Sequence, residues 1–475
     1  MGALRDLIAA HDLAQASAVS TRAMPCALGV PALGSAPWLF RDPMTFLRLE
    51  HARLGAVFEV RAAHRRFVVL AGPEANRFAT REGRDALAGG PFWRPLAERM
   101  QCPHLMLALD GEDHRALRRL FREDLSRNAF ERRARDVQAC TRAVTSRMVP
   151  GEVFSARAYT RQLVSSQISL ITTGTYPTEH LADFDALHQH MRWQLNTLLL
   201  GKWPKVALST PRFRRYARHA ERFITHERRR IDRTQPPGWF ESVARGKSMY
   251  PHLFATEGDM RIQYVFPYFV GVDTVATTLT FLLREMLRDD RKLWKRLRRE
   301  VDAACDAHGG DLPSAGEVRK LPDLSGACAE ALRLYPAAFA TYRTAARDFT
   351  FAGCDVDEGA DVLLFTTAAH TDPRFFRDPM RFDIERYRPP RDEPSDPMAW
   401  SPYGRGPHTC LGAGMAESQL PLTLAVWLRH FELELARPRR RERVVYDPST
   451  TLPDRFGVRF LGERRLRPSA PEVSA

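Results

Sequence analysis

The sequence predicts a mainly α-helical protein with small β-sheets, an α+β fold. Patterns with helical periodicity fill the chain between residues 110 and 335, whereas short β-like runs lie before residue 80 and after Pro336. No internal repeat and no low-complexity linker separates these parts. We therefore expect one large domain at 35–475, preceded by an N-terminal segment at 1–34.

The predicted elements follow one another in a simple order. A proline-rich segment leads into two strands, AVFEVRA and RRFVVLAG. Helical patterns follow in HRALRRLFREDL, YTRQLVSSQISLITTG, PRFRRYARHAERFITHERRRI and RKLWKRLRREVDAACDAHGG. After Pro336, DFTFAG and CDVDEGADVLLFTT predict strands, and a long loop runs through residue 400. A last helix begins near Gly412, and FELELA and RFGVRFLG predict closing strands.

One segment, IQYVFPYFVGVDTVATTLTFLL at 262–283, is long and apolar enough to be mistaken for a membrane span. Asp273 lies near its middle, where a carboxylate costs about 2.5–3.5 kcal/mol on insertion scales. Pro267 and Gly271 also interrupt the helix. We therefore expect the buried central helix of a soluble protein and no transmembrane anchor.

The composition favours a cytoplasmic protein. Seven cysteines are scattered without a CxxC pair, which suits a reducing compartment. The first residues carry Arg5, Asp6, His11 and Asp12, so no apolar core of a signal peptide is present, and neither end has a lipidation motif.

The net charge of +14 suggests an acidic partner, although only six of the 71 basic residues are lysine, as a GC-rich genome would produce. Functional and incidental explanations of this charge stay open. The run RPRRRER at 437–443 lacks interleaved aromatic residues, so we expect a solvated turn and no nucleic-acid partner.

The loop SPYGRGPHTCLGAG holds one cysteine among four glycines. Cys410 stands at the start of a predicted helix, where free N–H groups and the helix dipole stabilise a thiolate. Gly412 and Gly414 would let the backbone approach a flat ligand, and Gly404 and Gly406 permit left-handed turns. A single cysteine without zinc-type spacing suits the axial position of a haem. Taken alone, Cys410 could equally be a small buried residue in a turn.

This loop closely resembles the haem-binding loop of the cytochrome P-450 family, Phe-x-x-Gly-x-Arg/His-x-Cys-x-Gly, with Tyr403 at the Phe position. The resemblance implies haem b with the Cys410 thiolate as axial ligand. It also implies the family's triangular, mainly helical fold, in which the haem lies between a long central helix and the cysteine loop. Three further motifs occur in family order, so the resemblance covers roughly residues 35–465.

The first of these motifs is CAEALRLYPA, in which Glu330 and Arg333 are one helical turn apart. In the family this pair joins a second arginine to lock the chain beneath the haem. Arg386 in FDIERY takes that place here, with Ile384 and Tyr387 replacing the usual Pro and Phe.

The second motif, VGVDTVATT, is similar to the family's Ala/Gly-Gly-x-Asp/Glu-Thr. The resemblance implies that Gly271 makes room for dioxygen, while Asp273 and Thr274 hold a water and pass protons. The alternative is that Thr274 only bonds a carbonyl one turn back and Asp273 pairs with an arginine.

The third motif is DGEDHRALRRLF, in which His114 and Arg118 share one helix face and could reach one anionic group. The resemblance implies that both bind haem propionates, together with His408 and with Arg343 of ATYRTAARDF.

The resemblance implies a monooxygenase that inserts one oxygen atom of O2 into an apolar organic substrate of terpenoid, steroid, fatty-acyl or polyketide type. Pocket candidates are the apolar side chains of 85–105 and 191–209, namely Phe92, Trp93, Leu105, Met106, Trp193, Leu198 and Trp203.

No flavin or NAD fingerprint is present, since GRGPHT has Thr409 where GxGxxG needs its third glycine. We therefore expect an acidic ferredoxin or flavodoxin as the electron donor, docked on an arginine-rich surface. Arg115 and Arg119 point away from the His114 face and are expected to be solvated or to face that partner. Two alternatives stay open: a haem-thiolate enzyme that uses peroxide or no redox partner, such as an isomerase or dehydratase, and a non-enzymatic haem sensor.

Overall fold

A computed structural model describes residues 23–175, 181–234, 236–393, 396–440 and 442–465. By its contacts the chain divides into two compact units. The first comprises Met1–Phe92, Phe339–Pro379 and Pro394–Thr409, and the second Trp93–Ala338, Met380–Glu393 and Cys410–Ala475. As predicted, the protein is mainly helical with small sheets.

The first unit is built on a five-stranded sheet. Its elements are α1 Ala36–Arg41, α2 Pro43–Leu54, β1 Val57–Ala62, β2 Arg65–Ala71, α3 Gly72–Thr80, β3 Leu87–Ala88, β5 Thr341–Ala345, β6 Phe349–Phe351, β7 Cys354–Val356 and β8 Asp361–Phe365, with β4 in the second unit. The sheet order is β1-β2-β8-β5-β3, and β2 and β8 are its parallel pair, in register at Val68 and Val362. Strands β6 and β7 form a separate hairpin.

Two apolar layers cover this sheet. One contains Phe46 and Leu47 of α2 against Val69 and Phe365, and the other contains Ala75 of α3 against Leu364. Burying both faces explains why β2 and β8 read as nearly continuous apolar runs.

The helices α1, α2 and α3 correct the sequence prediction, which had a proline-rich segment and strands before residue 80. Pro43 occupies the first turn of α2, where its missing N–H leaves no hydrogen bond unmade. The Asp42 side chain accepts a hydrogen bond from the Thr45 N–H at 3.2 Å and caps the helix. Prolines in this segment therefore begin helices instead of preventing them.

The second unit holds the long helices, and α4 Gly90–Arg99 begins in the first unit and ends in the second. The helices are α5 Gly111–Phe121, α6 Arg127–Arg132, α7 Ala134–Thr145, α8 Ala156–Thr173, α9 Leu181–Gln194, α10 Pro211–Thr234, α11 Trp239–Met249, α12 Glu257–Gln263, α13 Phe266–Leu287, α14 Lys292–Asp306, α15 Ala315–Val318, α16 Pro322–Leu334 and α17 Ala413–His430. A π-turn, Leu195–Leu199, continues α9.

Two small sheets complete the second unit. Their strands are β4 Val153–Ser155, β9 Phe431–Leu435, β10 Val445–Tyr446, β11 Thr450–Thr451 and β12 Gly457–Glu463. Strand β12 lies between β4 and β9, and β10 pairs with β11. The strands predicted from FELELA and RFGVRFLG are thus present.

Buried polar contacts tie the central helices together. The Gln167 amide of α8 donates to Thr141 of α7 at 2.8 Å and to Thr423 of α17 at 3.0 Å, and Gln419 donates back to Gln167 at 2.7 Å. These hydrogen bonds between buried side chains fix α17 against α7 and α8. The loop that carries Cys410 therefore leads into a firmly anchored helix.

The long apolar segment forms α12 and α13, separated by a short turn. Residues 257–287 are long and apolar enough to cross a membrane, but 72% of their most apolar 18-residue stretch is buried inside the protein. Phe281, Leu282 and Leu283 have no exposed surface. This is the packing expected of a central helix in a protein core.

Candidate functional site

The loop before α17 presents Cys410 close to the helix start. Gly412 is the N-cap residue of α17. Two glycines in left-handed conformations shape the loop, Gly404 at φ 72° and Gly406 at φ 82°. At Gly406 a side chain would also lie 2.6 Å from the Ala79 carbonyl oxygen, so only glycine fits.

The surroundings of Cys410 suit a thiolate ligand. Burial by the surrounding protein raises the pKa of the Cys410 thiol, while the Gly412 N–H and the charge of Arg118 act in the opposite direction. The residue as a whole nevertheless keeps accessible surface, while its sulfur is recessed. A Cβ at Gly412 would meet nothing within 4 Å, which leaves room for a ligand over the backbone. Gly414 instead faces Arg127, with 3.5 Å to an added Cβ, and serves helix packing.

Helix α5 brings Arg118 towards the cysteine. Burial lowers the pKa of the Arg118 guanidinium, and the negative charge of Cys410 opposes that shift, which places the two groups within electrostatic range. His114, on the same face, is 3% exposed. Arg115 and Arg119 lie on the exposed side and both bind Glu112 at 2.8 Å.

Three further predicted ligand-binding residues lie in the first unit. Arg343 of β5 is buried, and its Nη1 donates to the Tyr342 carbonyl at 2.6 Å. The His408 ring packs on Gly89, where an added Cβ would lie 2.6 Å from Nε2. The Tyr403 ring meets Trp400 edge-on at 6.1 Å. Their roles toward a haem stay predictions.

The three residues of the predicted charged network meet in the second unit. Arg333 makes two hydrogen bonds of 2.7 Å to the Glu330 carboxylate, and Arg386 donates from Nε to Oε1 of the same group at 3.1 Å. All three side chains are fully buried. A carboxylate shared by two arginines is the arrangement in which a buried charge is best compensated.

A fourth side chain, Tyr387, joins this network. Its hydroxyl donates to Glu330 Oε2 at 2.9 Å, and burial raises its pKa well above the usual value. The sequence analysis treated Tyr387 only as a replacement for Phe. Its neighbour Arg386, in a network already predicted, was the signal that could have identified it.

On α13, the Thr274 hydroxyl donates to the carbonyls of Val270 at 3.2 Å and Gly271 at 3.1 Å. This is the local bond that the alternative interpretation expected. The side chain that Gly271 lacks would point at Ile168 of α8, with 2.7 Å to its Cδ1. The glycine thus allows close packing of α8 on α13, and making room for dioxygen stays a prediction.

Asp273 is held by an arginine and a histidine. Arg161 Nε of α8 donates to Oδ1 at 3.2 Å, and His188 Nε2 of α9 lies 2.5 Å from Oδ2. Burial alone would raise the pKa of the Asp273 carboxyl, but the charges of His188, Arg161 and Arg157 hold it well below its usual range. The carboxylate is therefore firmly ionised in this arrangement.

The sequence analysis missed His188 and Arg161. Arg161 had a usable signal, because it and Arg157 are the two charged residues of α8, and an arginine in such a helix needs a buried partner. His188 had none, since no local pattern relates it to Asp273 across the intervening residues.

The structure gives the predicted pocket residues different surroundings. Leu105 and Met106 are buried in the core. Trp193 packs on Trp203 with ring centroids 5.0 Å apart, while Trp93 meets Phe269 of α13 edge-on at 6.4 Å. In the second unit, Trp93 is thus the candidate that reaches the helix carrying Asp273 and Thr274.

Comparisons with known proteins agree on one family. The sequence model of the family named Cytochrome P450 matches residues 24–455. Pentalenene oxygenase of Streptomyces avermitilis is 26% identical over 428 residues, covering 85% of this chain and 90% of that protein. Cyclooctat-9-en-7-ol 5-monooxygenase of Streptomyces melanosporofaciens is 27% identical over 83% of this chain and 86% of that protein.

Other matches are partial or structural. Cytochrome P450 734A5 of rice is 36% identical over 177 residues, and that match spans about a third of the plant protein, 32%. A solved structure described as retinoic acid bound cyanobacterial CYP120A1 superposes with a TM-score of 0.77 at 19% identity, over 93% of this chain and 99% of that one. This structural likeness supports the fold.

Proposed function

The chain belongs to the cytochrome P450 family and is a monooxygenase, and we propose that it inserts one oxygen atom of O2 into an apolar organic substrate beside α13. The observation that carries this proposal is Cys410 at the start of α17, with the Gly412 N–H and the Arg118 charge directed at its sulfur. We assign the catalytic domain to 35–475 and its location to the cytoplasm.

The residues around Cys410 fit a haem b. The recessed sulfur, the open space over Gly412 and the cation beside it are the features that an axial thiolate and a flat anionic ligand require. Cys410 would hold the iron, and the propionates would be bound by His114, Arg118, Arg343 and His408. When bound, haem supplies the activation of dioxygen.

Asp273 and Thr274 would move the protons. With its hydrogen donated to backbone carbonyls, Thr274 Oγ1 keeps lone pairs with which to accept a hydrogen bond from water. The adjacent carboxylate of Asp273 can take up a proton and release it toward that water. The ion pairs of Asp273 mean that its carboxyl must turn from at least one partner to do so.

We further propose a terpenoid-like substrate. Phe269 and Val270 of α13, together with Trp93, offer an apolar contact surface. The names of the two Streptomyces relatives, which refer to pentalenene and cyclooctat-9-en-7-ol, support this class. Steroid, fatty-acyl and polyketide skeletons are the classes against which it should be compared.

The electron donor is proposed to be an acidic ferredoxin or flavodoxin. Arg115 and Arg119 are exposed on the outer side of α5, whose inner side carries Arg118 toward Cys410. A negative partner would be attracted to this group of arginines, the α5 arginine patch.

The experiment is turnover under 18O2 with a ferredoxin and its reductase, using a panel of cyclic terpenes, steroids and fatty acids. We expect one labelled oxygen atom in a terpenoid product, dependent on the reductant. Product formed with peroxide alone, or without any external electrons, would support the partner-independent alternative. Tight ligand binding without any product would support a haem sensor.

A further inference from the structure

Asp273 is reached from outside α13 by side chains of two other helices. Arg161 of α8 lies against one carboxylate oxygen and His188 of α9 against the other. Both partners are nearly buried, with side-chain exposures of 9% and 8%, whereas Asp273 itself is 19% exposed. Arg161 and His188 thus cover Asp273 on this side.

These two partners differ in the chemistry that they can perform. A guanidinium stays protonated under all physiological conditions and cannot supply a proton. An imidazole exchanges its proton in the range where enzymes work. Within the part of the chain that the structure describes, His188 is thus the neighbour of Asp273 with the chemistry of a proton carrier.

A small cavity lies beside this contact. Its volume is about 20 Å3, and its lining includes His188, Asp273, Arg192 and Tyr268. That is room for about one water molecule, and the lining provides the polar partners that a buried water needs. A water here could exchange protons with the imidazole.

We propose that His188 resupplies Asp273 with protons, so that the contact between α9 and α13 completes the proton path of the enzyme. This inference rests on the proposed function of Asp273. Because His188 acts through Asp273, it is a positioning residue that also holds a proton.

The transfer balances without any further reagent. Once the imidazole has turned to direct its Nε2–H at Asp273 Oδ2, the Nε2–H bond of the His188 imidazolium breaks while an O–H bond to Oδ2 forms, leaving a neutral imidazole and a neutral carboxyl. The carboxyl then releases its proton toward Thr274 Oγ1 and its water. The imidazole takes its next proton from solvent through the water in the cavity, which restores the starting ion pair.

The surrounding charges favour the second step, release of the proton toward Thr274. They lower the pKa of the Asp273 carboxyl, so it takes up a proton only transiently and passes it on quickly. Tyr268 is no competing donor, because burial raises the pKa of its phenol. The charged and titratable groups packed around the pair are Arg157 and Arg161 of α8, Asp185 and Arg192 of α9, Glu227 of α10, Tyr268 of α13, and Asp447 and Asp454 near β11.

The test compares His188→Gln with His190→Gln in the haem-loaded enzyme. Glutamine at 188 can still donate a hydrogen bond to Asp273 but carries no transferable charge. His190 is a matched control on the same helix, since it stacks on Phe213 at 4.9 Å and burial lowers its pKa to about 4. The measurements are O2-dependent turnover from pH 6 to 9, peroxide-driven turnover, and the fraction of electrons recovered in product.

We expect His188→Gln to lower coupled, O2-dependent turnover by about tenfold or more. The His190→Gln variant should keep the wild-type rate and the wild-type coupling. Peroxide carries its own protons, so peroxide-driven turnover of His188→Gln should change less than about twofold. Wild-type coupling in His188→Gln would overturn the proposal.

A second measurement does not depend on turnover or on how well His188→Gln folds. In enzyme labelled with 15N-histidine, the imidazole signals of His188 should move when Asp273 is replaced by Asn and stay in place in Arg229→Gln. Unchanged signals in Asp273→Asn would show that the contact is absent and would also overturn the proposal. A wild-type enzyme without O2-dependent turnover but with these signal changes would refute the proposed function while leaving the contact intact.

Discussion

Asp273 is a largely buried carboxylate that neighbouring side chains keep ionised. Contacts with Arg161 and His188 compensate for the lost hydration of its carboxylate, and the pKa of the group lies well below its usual range. A carboxyl with a lowered pKa stabilises the fold above the pKa of its unfolded state, and that stabilisation disappears as the pH falls through the folded-state value.

Asp273→Asn should therefore destabilise the protein by about 3 kcal/mol near neutral pH, because Arg161 loses its charged partner. The difference from wild type should stay constant down to about pH 4 and shrink below it, because there the unfolded chain takes up the proton while the folded protein still resists it. Urea unfolding at pH 7, 4, 3 and 2 measures this. A difference that stays constant down to pH 2 would mean that the carboxylate is not paired in the folded protein.

Tyr387 offers a second test at one atom. Tyr387→Phe removes the hydroxyl that donates to buried Glu330 and should cost about 1.5–3 kcal/mol of unfolding free energy, as for other hydrogen bonds to charged groups. The control is Tyr216→Phe, whose hydroxyl accepts a hydrogen bond from Arg212 on the surface and should change little. Equal, small losses in both variants would contradict the network described here.

The sequence predicts residues whose positions relative to one another follow from their spacing along the chain. Cys410 among glycines, and Glu330 one turn from Arg333, could be recognised because spacing along the chain places them together. His188 and Arg161 could not, because their contact with Asp273 depends on how α8 and α9 pack on α13. The approach of Ile168 to Gly271 depends on the same packing and could not be predicted either.

At the scale of the elements, the C-terminal end of α9 is held by Asp447, which lies in the turn between β10 and β11. Asp447 accepts hydrogen bonds from Arg192 Nε at 2.9 Å and from Asn196 Nδ2 at 2.9 Å, and the Arg157 guanidinium reaches its carbonyl at 3.3 Å. Asn196 belongs to the π-turn, a form that often occurs at functional places in helices. The π-turn thus directs Asn196 to the same carboxylate as Arg192.

Asp447→Ala should remove the hydrogen bonds that hold the end of α9. We expect faster amide hydrogen exchange across 192–203, because the buried donors lose their acceptor, and no change in α14. Exchange followed by mass spectrometry gives this comparison directly. Protection in 192–203 that equals that of wild type would mean that Asp447 does not hold the end of α9.

The elements themselves were predictable to an uneven degree. Strongly periodic segments such as α10 and α14, and the alternating strands β1 and β2, appear where the sequence placed them. Helices α1 and α2 did not, because prolines were taken as breakers where they occupy first turns.

For the molecule as a whole, a net charge of +14 would attract the acidic electron donor that we propose. If the α5 arginine patch attracts an acidic ferredoxin, the rate at which the ferredoxin reduces the enzyme should fall steeply between about 50 and 500 mM salt, because salt screens the charges. Arg119→Glu should reduce that rate at low salt, and Arg229→Glu on α10 should have a smaller effect. A reduction rate that does not depend on salt, or that both variants lower equally, would show that the α5 arginine patch does not bind the electron donor through its charge.

The most direct test of the account is the absorption spectrum of the reduced protein under carbon monoxide. Wild type and a Cys354→Ser control should both show the strongly red-shifted Soret band of a thiolate-ligated carbonyl complex, and Cys410→Ser should lose it. A folded wild-type protein that binds no haem, or a Cys410→Ser variant that keeps the band, would contradict the assignment of Cys410 as the axial ligand.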